Sequence, residues 1–241
     1  MCDRCRCGAH DHGHGHGHDH GHAGEHRTLQ VERAILAHNN AHAAENRLWL
    51  TQRGVVAINL ISSPGTGKTR LLEQTLTALS GTIGCAVIAG DQETDRDAQR
   101  LRGRGAPVVQ IETGSACHLD AARVGDVLRE VVRPDTRLLF IENVGNLVCP
   151  AAFDLGETIK VALLSVTEGE DKPLKYPALF LNASAAVITK TDLIPHLEWD
   201  REACLAALRT VRPGLRILPL SARTGEGMEA WLEFLKGLAG Q

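Results

Sequence analysis

The stretch SSPGTGKT, Ser62 to Thr69, lies between the apolar run VVAINLIS and the helix-like run RLLEQTLTAL. Strand, glycine-rich loop and helix in that order form a cradle for phosphate. The backbone amides around Gly65, Thr66, Gly67 and Lys68 face the anion, and the helix N-terminus stands behind them. In this arrangement Lys68 neutralises the β and γ oxygens, the Thr69 hydroxyl ligates Mg²⁺, and Arg70 joins the nucleotide-binding set. The general motif has glycine where this chain has Ser62.

Later strand ends indicate which nucleotide it is. The run AAVIT continues into TKTDL, so Lys190 and Asp192 match the N-K-x-D pattern of guanine readers. An Asp carboxylate there accepts from guanine N1–H and the exocyclic amine, a donor pair that adenine lacks. Thr189 stands in place of the usual Asn, which predicts a loop held less firmly. Ser221-Ala222 in LSARTGEG resembles the loop that backs the base, and together these residues favour GTP over ATP. The run RLLFIE ends in Glu142, where a phosphate-loop enzyme holds its magnesium water. Gly145 follows three residues on, so E-N-V-G stands where small GTPases carry D-x-x-G, and its amide is placed to sense a γ-phosphate. GDQETDRDA offers Asp91 and Asp95 near the same edge; Asp91 is the better metal candidate, the alternative being a helix cap.

A second chemistry runs through the chain. It opens with Cys2, Cys5 and Cys7, and every second residue from His10 to His22 is His, with Gly or Asp between. Glycine spacers let a backbone wrap around an ion, and neutral imidazoles suit nickel, copper and zinc. With almost nothing apolar to bury, such a segment is expected to be disordered without metal. Further on, Cys117-His118 stands at the start of the helical stretch HLDAARVGDVLREVV, and Cys149 follows Glu142 by seven residues. Three soft ligands leave a coordination sphere incomplete, to be finished by water or by a second copy across a twofold axis. Cys85 and Cys204 read as packed thiols, and the pair His38 and His42 as solvent-facing.

Seven short, nearly continuous apolar runs, mostly separated by amphipathic stretches, position these residues. They imply a doubly wound α/β fold with a mainly parallel sheet covered on both faces. Aromatics make up only 3% of the chain, so the core must be aliphatic. The expected organisation is a Cys/His-rich tail over 1–26, an N-terminal helix over 27–53 and a phosphate-loop domain over 54–241. A net charge of −3 gives no case for nucleic acid, and no apolar stretch reaches membrane-spanning length. Seven cysteines without a secretory signal point to a reducing, cytoplasmic setting.

Taken together, these motifs resemble the HypB proteins, the nickel-inserting GTPases of nickel–iron hydrogenase maturation. The resemblance covers essentially the whole chain and rests on C-x-x-C-x-C, the His-rich tail, SSPGTGKT, GDQETDRDA, GSACHLDA, FIENVGNLVCPAAFDLGE and SVTEGEDKPLKYP. In that family the double serine of the loop is usual. The resemblance implies a tight nickel site at Cys2, Cys5 and Cys7, and a weaker nickel or zinc site at Cys117, His118 and Cys149. It also implies a GTP-promoted homodimer, and nickel passing to the hydrogenase large-subunit precursor with help from a HypA-type partner. The sister GTPase of urease maturation carries Cys-Pro-His, which is absent here. A metal store with a vestigial GTPase domain is opposed by the intact Lys68, Thr69 and Asp192.

Overall fold

The computed structural model describes the backbone of residues 21–91, 96–114 and 116–240, with every side chain in them except those of 21–32 and 96. The expectations for Cys2, Cys5, Cys7, the histidine ladder and Asp95 therefore lie outside the described residues. The described residues fall into two units, one ending at Ile35 and the other beginning at Leu36.

All seven apolar runs are strands. They are β1 (Val56–Ile61), β2 (Gly84–Asp91), β3 (Val108–Glu112), β4 (Thr136–Glu142), β5 (Ile159–Ser165), β6 (Ala185–Thr189) and β7 (Arg216–Pro219). They form one parallel sheet in the order β3-β2-β4-β1-β5-β6-β7. The five inner strands are buried on both faces and have no polar side to present, which is why they read as unbroken aliphatic stretches. After β1 the chain runs out to β2 and β3, returns through β4, and then fills the other half of the sheet. The carboxyl ends of β1 and β4 flank that reversal, where doubly wound sheets hold their ligands.

Nine α-helices stand among the described residues: α1 (Gly21–Thr51), α2 (Lys68–Leu79), α3 (Arg96–Leu101), α4 (Ala121–Val131), α5 (Cys149–Ala152), α6 (Lys172–Lys175), α7 (Pro177–Asn182), α8 (Arg201–Val211) and α9 (Met228–Ala239). On one face of the sheet, Leu71, Leu72 and Leu76 of α2 pack with Phe140 and the buried Trp231 of α9. The Trp231 indole N–H donates to the Thr75 hydroxyl at 2.9 Å, so the largest core side chain carries no unpaired donor. Opposite, Leu119, Val124 and Leu128 cover Ile88, Leu139 and Ile141. Cys85 and Cys204 are packed as expected, their thiols pushed up to about 12 and about 11, chiefly by burial.

Two local readings change. The N-terminal helix begins at Gly21, upstream of the expected 27, and ends at Thr51. Cys117 and His118 precede α4 rather than opening it. Asp120 is the N-cap, its carboxylate accepting from Arg123 N at 2.9 Å, and a capping Asp stops the helix from extending further back.

The C-terminal half of α1 is fastened by polar side chains. Asn39 accepts from Ala121 N at 2.9 Å and donates to the Asp154 carbonyl at 2.7 Å. Asn46 donates to the carbonyls of Ala121 at 2.7 Å and Leu155 at 3.1 Å, while Arg47 meets both Asp154 carboxylate oxygens at 2.6 and 2.7 Å. Gly156, at φ +88°, lies so close beneath α1 that a Cβ there would sit 2.6 Å from the Ala43 carbonyl oxygen. His38 is exposed and meets the His42 ring edge-on, 4.8 Å between centroids.

Asn46→Ala is expected to lower unfolding free energy by about 1–3 kcal/mol, because two buried carbonyls lose their donor. Urea unfolding measures this; Asn40→Ala, at an exposed position more than a turn away, should stay within about 0.5 kcal/mol of the parent.

Candidate functional site

The loop after β1 turns at Gly65 (φ +73°) and Gly67 (φ +105°), left-handed conformations in which a side chain would be strained. Lys68 then opens α2, only 8% exposed, with its ammonium donating to the Ser62 hydroxyl at 2.9 Å. Ser62, the departure from the general motif, is thus the residue that steadies the lysine. Burial depresses the Lys68 ammonium, against the pull of Glu142, Asp97 and Glu168. Such a cation, held in low dielectric, is suited to phosphate oxygens.

The next residue, Thr69, donates to the Glu142 carboxyl at 2.6 Å. Glu142 is 3% exposed and its other oxygen, Oε2, has no hydrogen-bond partner among the described residues. Burial pushes its pKa up to about 7, with the Thr69 bond and the Lys68 charge opposing. A hydroxyl, a carboxyl with a free buried oxygen, and Asp91 on the wall of the same cavity form an all-oxygen donor set that fits Mg²⁺. The cavity is about 480 Å³ and is also lined by Asp97 and Arg100 of α3, residues that the sequence reading passed over. Gly145 lies against the phosphate loop: a Cβ there would come within 2.9 Å of Pro64.

A second cavity of about 310 Å³ shares Gly67 and Arg70 with the first. Asp192, Ser221 and Ala222 line it, and the Ser221 hydroxyl donates to Asp192 Oδ1 at 2.6 Å, fixing the carboxylate. Lys190, at φ +60°, lays its ammonium on the Gly65 carbonyl at 2.8 Å. The expectation that Thr189 weakens this loop is corrected. Its hydroxyl donates to the Thr66 carbonyl at 2.7 Å, binding the base loop directly to the phosphate loop. Thr66 also donates to the carboxylate of Glu168, which pairs with Lys172. Glu168 went unrecognised in the sequence; only the loop after β5 brings it there.

The soft ligands converge as well. The ligating atoms of Cys117, His118 and Cys149 all lie within 4.8 Å of one another. Cys117 Sγ is 2.8 Å from Cys149 Sγ and 3.6 Å from His118 Nδ1, and the imidazole stacks on Phe153 at 3.8 Å. Burial, partly countered by Asp120, holds the His118 pKa below its ordinary value, which favours the neutral, ligating imidazole. The hydrogen bond with Cys117, then burial, raises the Cys149 thiol, so a metal must displace a proton there. Cys117 also lines the phosphate cavity.

The family model for the CobW/HypB/UreG nucleotide-binding domain matches residues 56–219. Hydrogenase maturation factor HypB of Azotobacter chroococcum mcd 1 is 50% identical over 212 residues, spanning 88% of this chain and 70% of that protein. This chain belongs to the HypB family. Its fold matches the crystal structure of HypB from Archaeoglobus fulgidus with a TM-score of 0.80 at 38% identity, covering 85% of this chain and 100% of that one. HypB from Helicobacter pylori, solved in complex with nickel, matches with a TM-score of 0.78 at 36% identity, over 83% and 94% of the two chains.

Because Glu142 binds its proton more tightly folded than unfolded, its burial is tolerated at low pH and costs stability as pH rises from about 4.5 through about 7. In nucleotide-free, metal-free protein, Glu142→Gln should therefore unfold with about 2–3 kcal/mol more free energy than the parent at pH 8. That gain should vanish at pH 4. Denaturant unfolding at the two pH values measures it.

Proposed function

We propose that this chain is a GTP-hydrolysing nickel carrier that delivers nickel to the hydrogenase large-subunit precursor. The observation carrying this reading is that Cys117 lines the cavity formed by Lys68, Thr69 and Glu142, while Cys149 follows Glu142 and Gly145 on one short segment. A phosphate pocket and a soft-metal trio that share a wall and a segment are suited to act on each other.

In this reading Asp192, steadied by Ser221, reads guanine, and Ala222 and Arg70 border the base. The amides of Gly65 to Thr69 and the Lys68 ammonium hold the phosphates and take up the charge that develops on hydrolysis. Thr69, Glu142 and Asp91 would hold Mg²⁺, which would supply positive charge to offset the negative charge on the phosphate oxygens. Gly145, seated on Pro64, senses the γ-phosphate. Nickel, or zinc in its place, is cargo at Cys117, His118 and Cys149. In the tail over 1–26, Cys2, Cys5 and Cys7 capture nickel and the histidine ladder from His10 to His22 stores it, ahead of the helix over 27–53 and the domain over 54–241. The assembly is a GTP-promoted homodimer in the cytoplasm, completing the metal's coordination across its axis, with a HypA-type protein assisting transfer. Hydrogenase maturation is named for the Azotobacter relative, and nickel for the Helicobacter pylori structure.

Lys68→Ala should lower GTP turnover at least about 100-fold, the scale lost when a preorganised charge is removed from an active site. Nickel bound by the N-terminal tail should stay the same. Phosphate release and equilibrium dialysis on the same samples test both halves, and unchanged turnover would remove the phosphate-loop assignment. Asp192→Asn should shift preference from GTP towards xanthosine triphosphate, because an amide donates where the carboxylate accepts. Competition binding of the two nucleotides measures the shift.

A further inference from the structure

The Cys117–Asp120 segment, which supplies two of the three metal ligands, has no regular structure and is gripped at Leu119. Leu119 N donates to Asn143 Oδ1 at 3.4 Å. The Leu119 side chain is fully buried and packs on Gly90 so closely that a Cβ at 90 would meet it at 2.9 Å. Gly90 precedes Asp91 and Asn143 follows Glu142, so both grips issue from strand ends that wall the phosphate cavity.

Asn143 is itself 1% exposed, and its amide orientation is settled by its neighbours. Its Oδ1 accepts from Val144 N at 3.0 Å as well as from Leu119 N, both unambiguous donors. Its Nδ2 donates to Asn59 Oδ1 at 3.2 Å, and Asn59 in turn donates to the buried Glu157 at 3.4 Å. Two donors share one oxygen, and the longer bond is the one to the metal-ligand segment. A few tenths of an ångström of movement in 143–145 would break that bond and leave the local turn bond to Val144 intact.

We infer that Asn143 is a positioning residue, a latch that keeps Cys117 and His118 beside Cys149 in one nucleotide state and releases them in the other. The inference rests on the trio being the nickel site proposed above. It goes beyond the covalent link from Gly145 to Cys149, because that link alone leaves the Cys117-His118 pair free of the nucleotide. With the latch, rearrangement around Gly145 reaches all three ligands, two through Leu119 and one through the chain.

The test uses full-length protein carrying Cys2→Ser, Cys5→Ser and Cys7→Ser, in which thiolate-to-nickel charge-transfer absorption reports only on the trio, because Cys85 and Cys204 are packed inside. Nickel is titrated against a competing chelator with GDP bound and with a non-hydrolysable GTP analogue bound. The background protein should show nickel affinities that differ about 5- to 150-fold between the two states. In Asn143→Ala the difference should fall below about twofold, at the weaker of the two affinities. Asn143→Ser, which preserves a hydroxyl for the turn but is too short to reach Leu119, should behave the same and serves if the alanine variant does not fold. Asn59→Ala, which removes the network partner and leaves the latch, should keep the difference. If both Asn143 variants retain it, or if Asn59→Ala loses it equally, the latch is wrong and the nickel site stands. If the background protein shows no charge-transfer band, the reading of the trio as a nickel site fails and the latch fails with it.

Discussion

The bond from the Thr69 hydroxyl to the Glu142 carboxyl, 2.6 Å long and almost closed to water, joins the loop after β1 to the end of β4. It exists because those two strands are neighbours in the sheet, although 73 residues separate the partners in sequence. Burying a carboxyl there pushes its pKa to about 7 and leaves one oxygen without a partner among the described residues. Such a site is poorly satisfied when empty and gains from a divalent cation carried in with phosphate.

The segment after Glu142 inherits that position. Gly145 needs to be glycine because Pro64 occupies the space a side chain would take. Four residues later Cys149 meets Cys117, and Phe153 stacks on His118. The phosphate loop is tied in from the other side by Thr189 and Lys190, each bonded to one of its carbonyls. The loop of Asp192 and Ser221, the loop after β1 and the Cys117, His118 and Cys149 trio thus stand together at the carboxyl ends of the strands. Coupling between sites requires a framework with more than one arrangement available to it, and residues 143–148 carry no regular structure between β4 and α5.

Much of this could be read from sequence. Strands buried on both faces announce themselves as aliphatic runs, and all seven were recovered. SSPGTGKT and TKTD were legible because their chemistry lies in contiguous residues. The buried asparagines were not: Asn39, Asn46, Asn59 and Asn143 have partners 24 to 115 residues away, many of them backbone groups that no side-chain pattern reveals. Asp97, Arg100 and Glu168 resemble ordinary surface charges until the strand order brings them to the loop. Thr189 was misjudged for a related reason. Its hydroxyl bonds a backbone carbonyl on a distant loop.

The central claim is that nucleotide and metal occupy coupled sites, and thermodynamic linkage allows it to be tested from the nucleotide side. Isothermal titration of a non-hydrolysable GTP analogue would be run on full-length protein with and without nickel at Cys117, His118 and Cys149. Coupling of the usual size predicts nucleotide affinities about 5- to 150-fold apart, by the same factor that the analogue imposes on nickel. Equal nucleotide affinities with and without bound nickel would contradict the account.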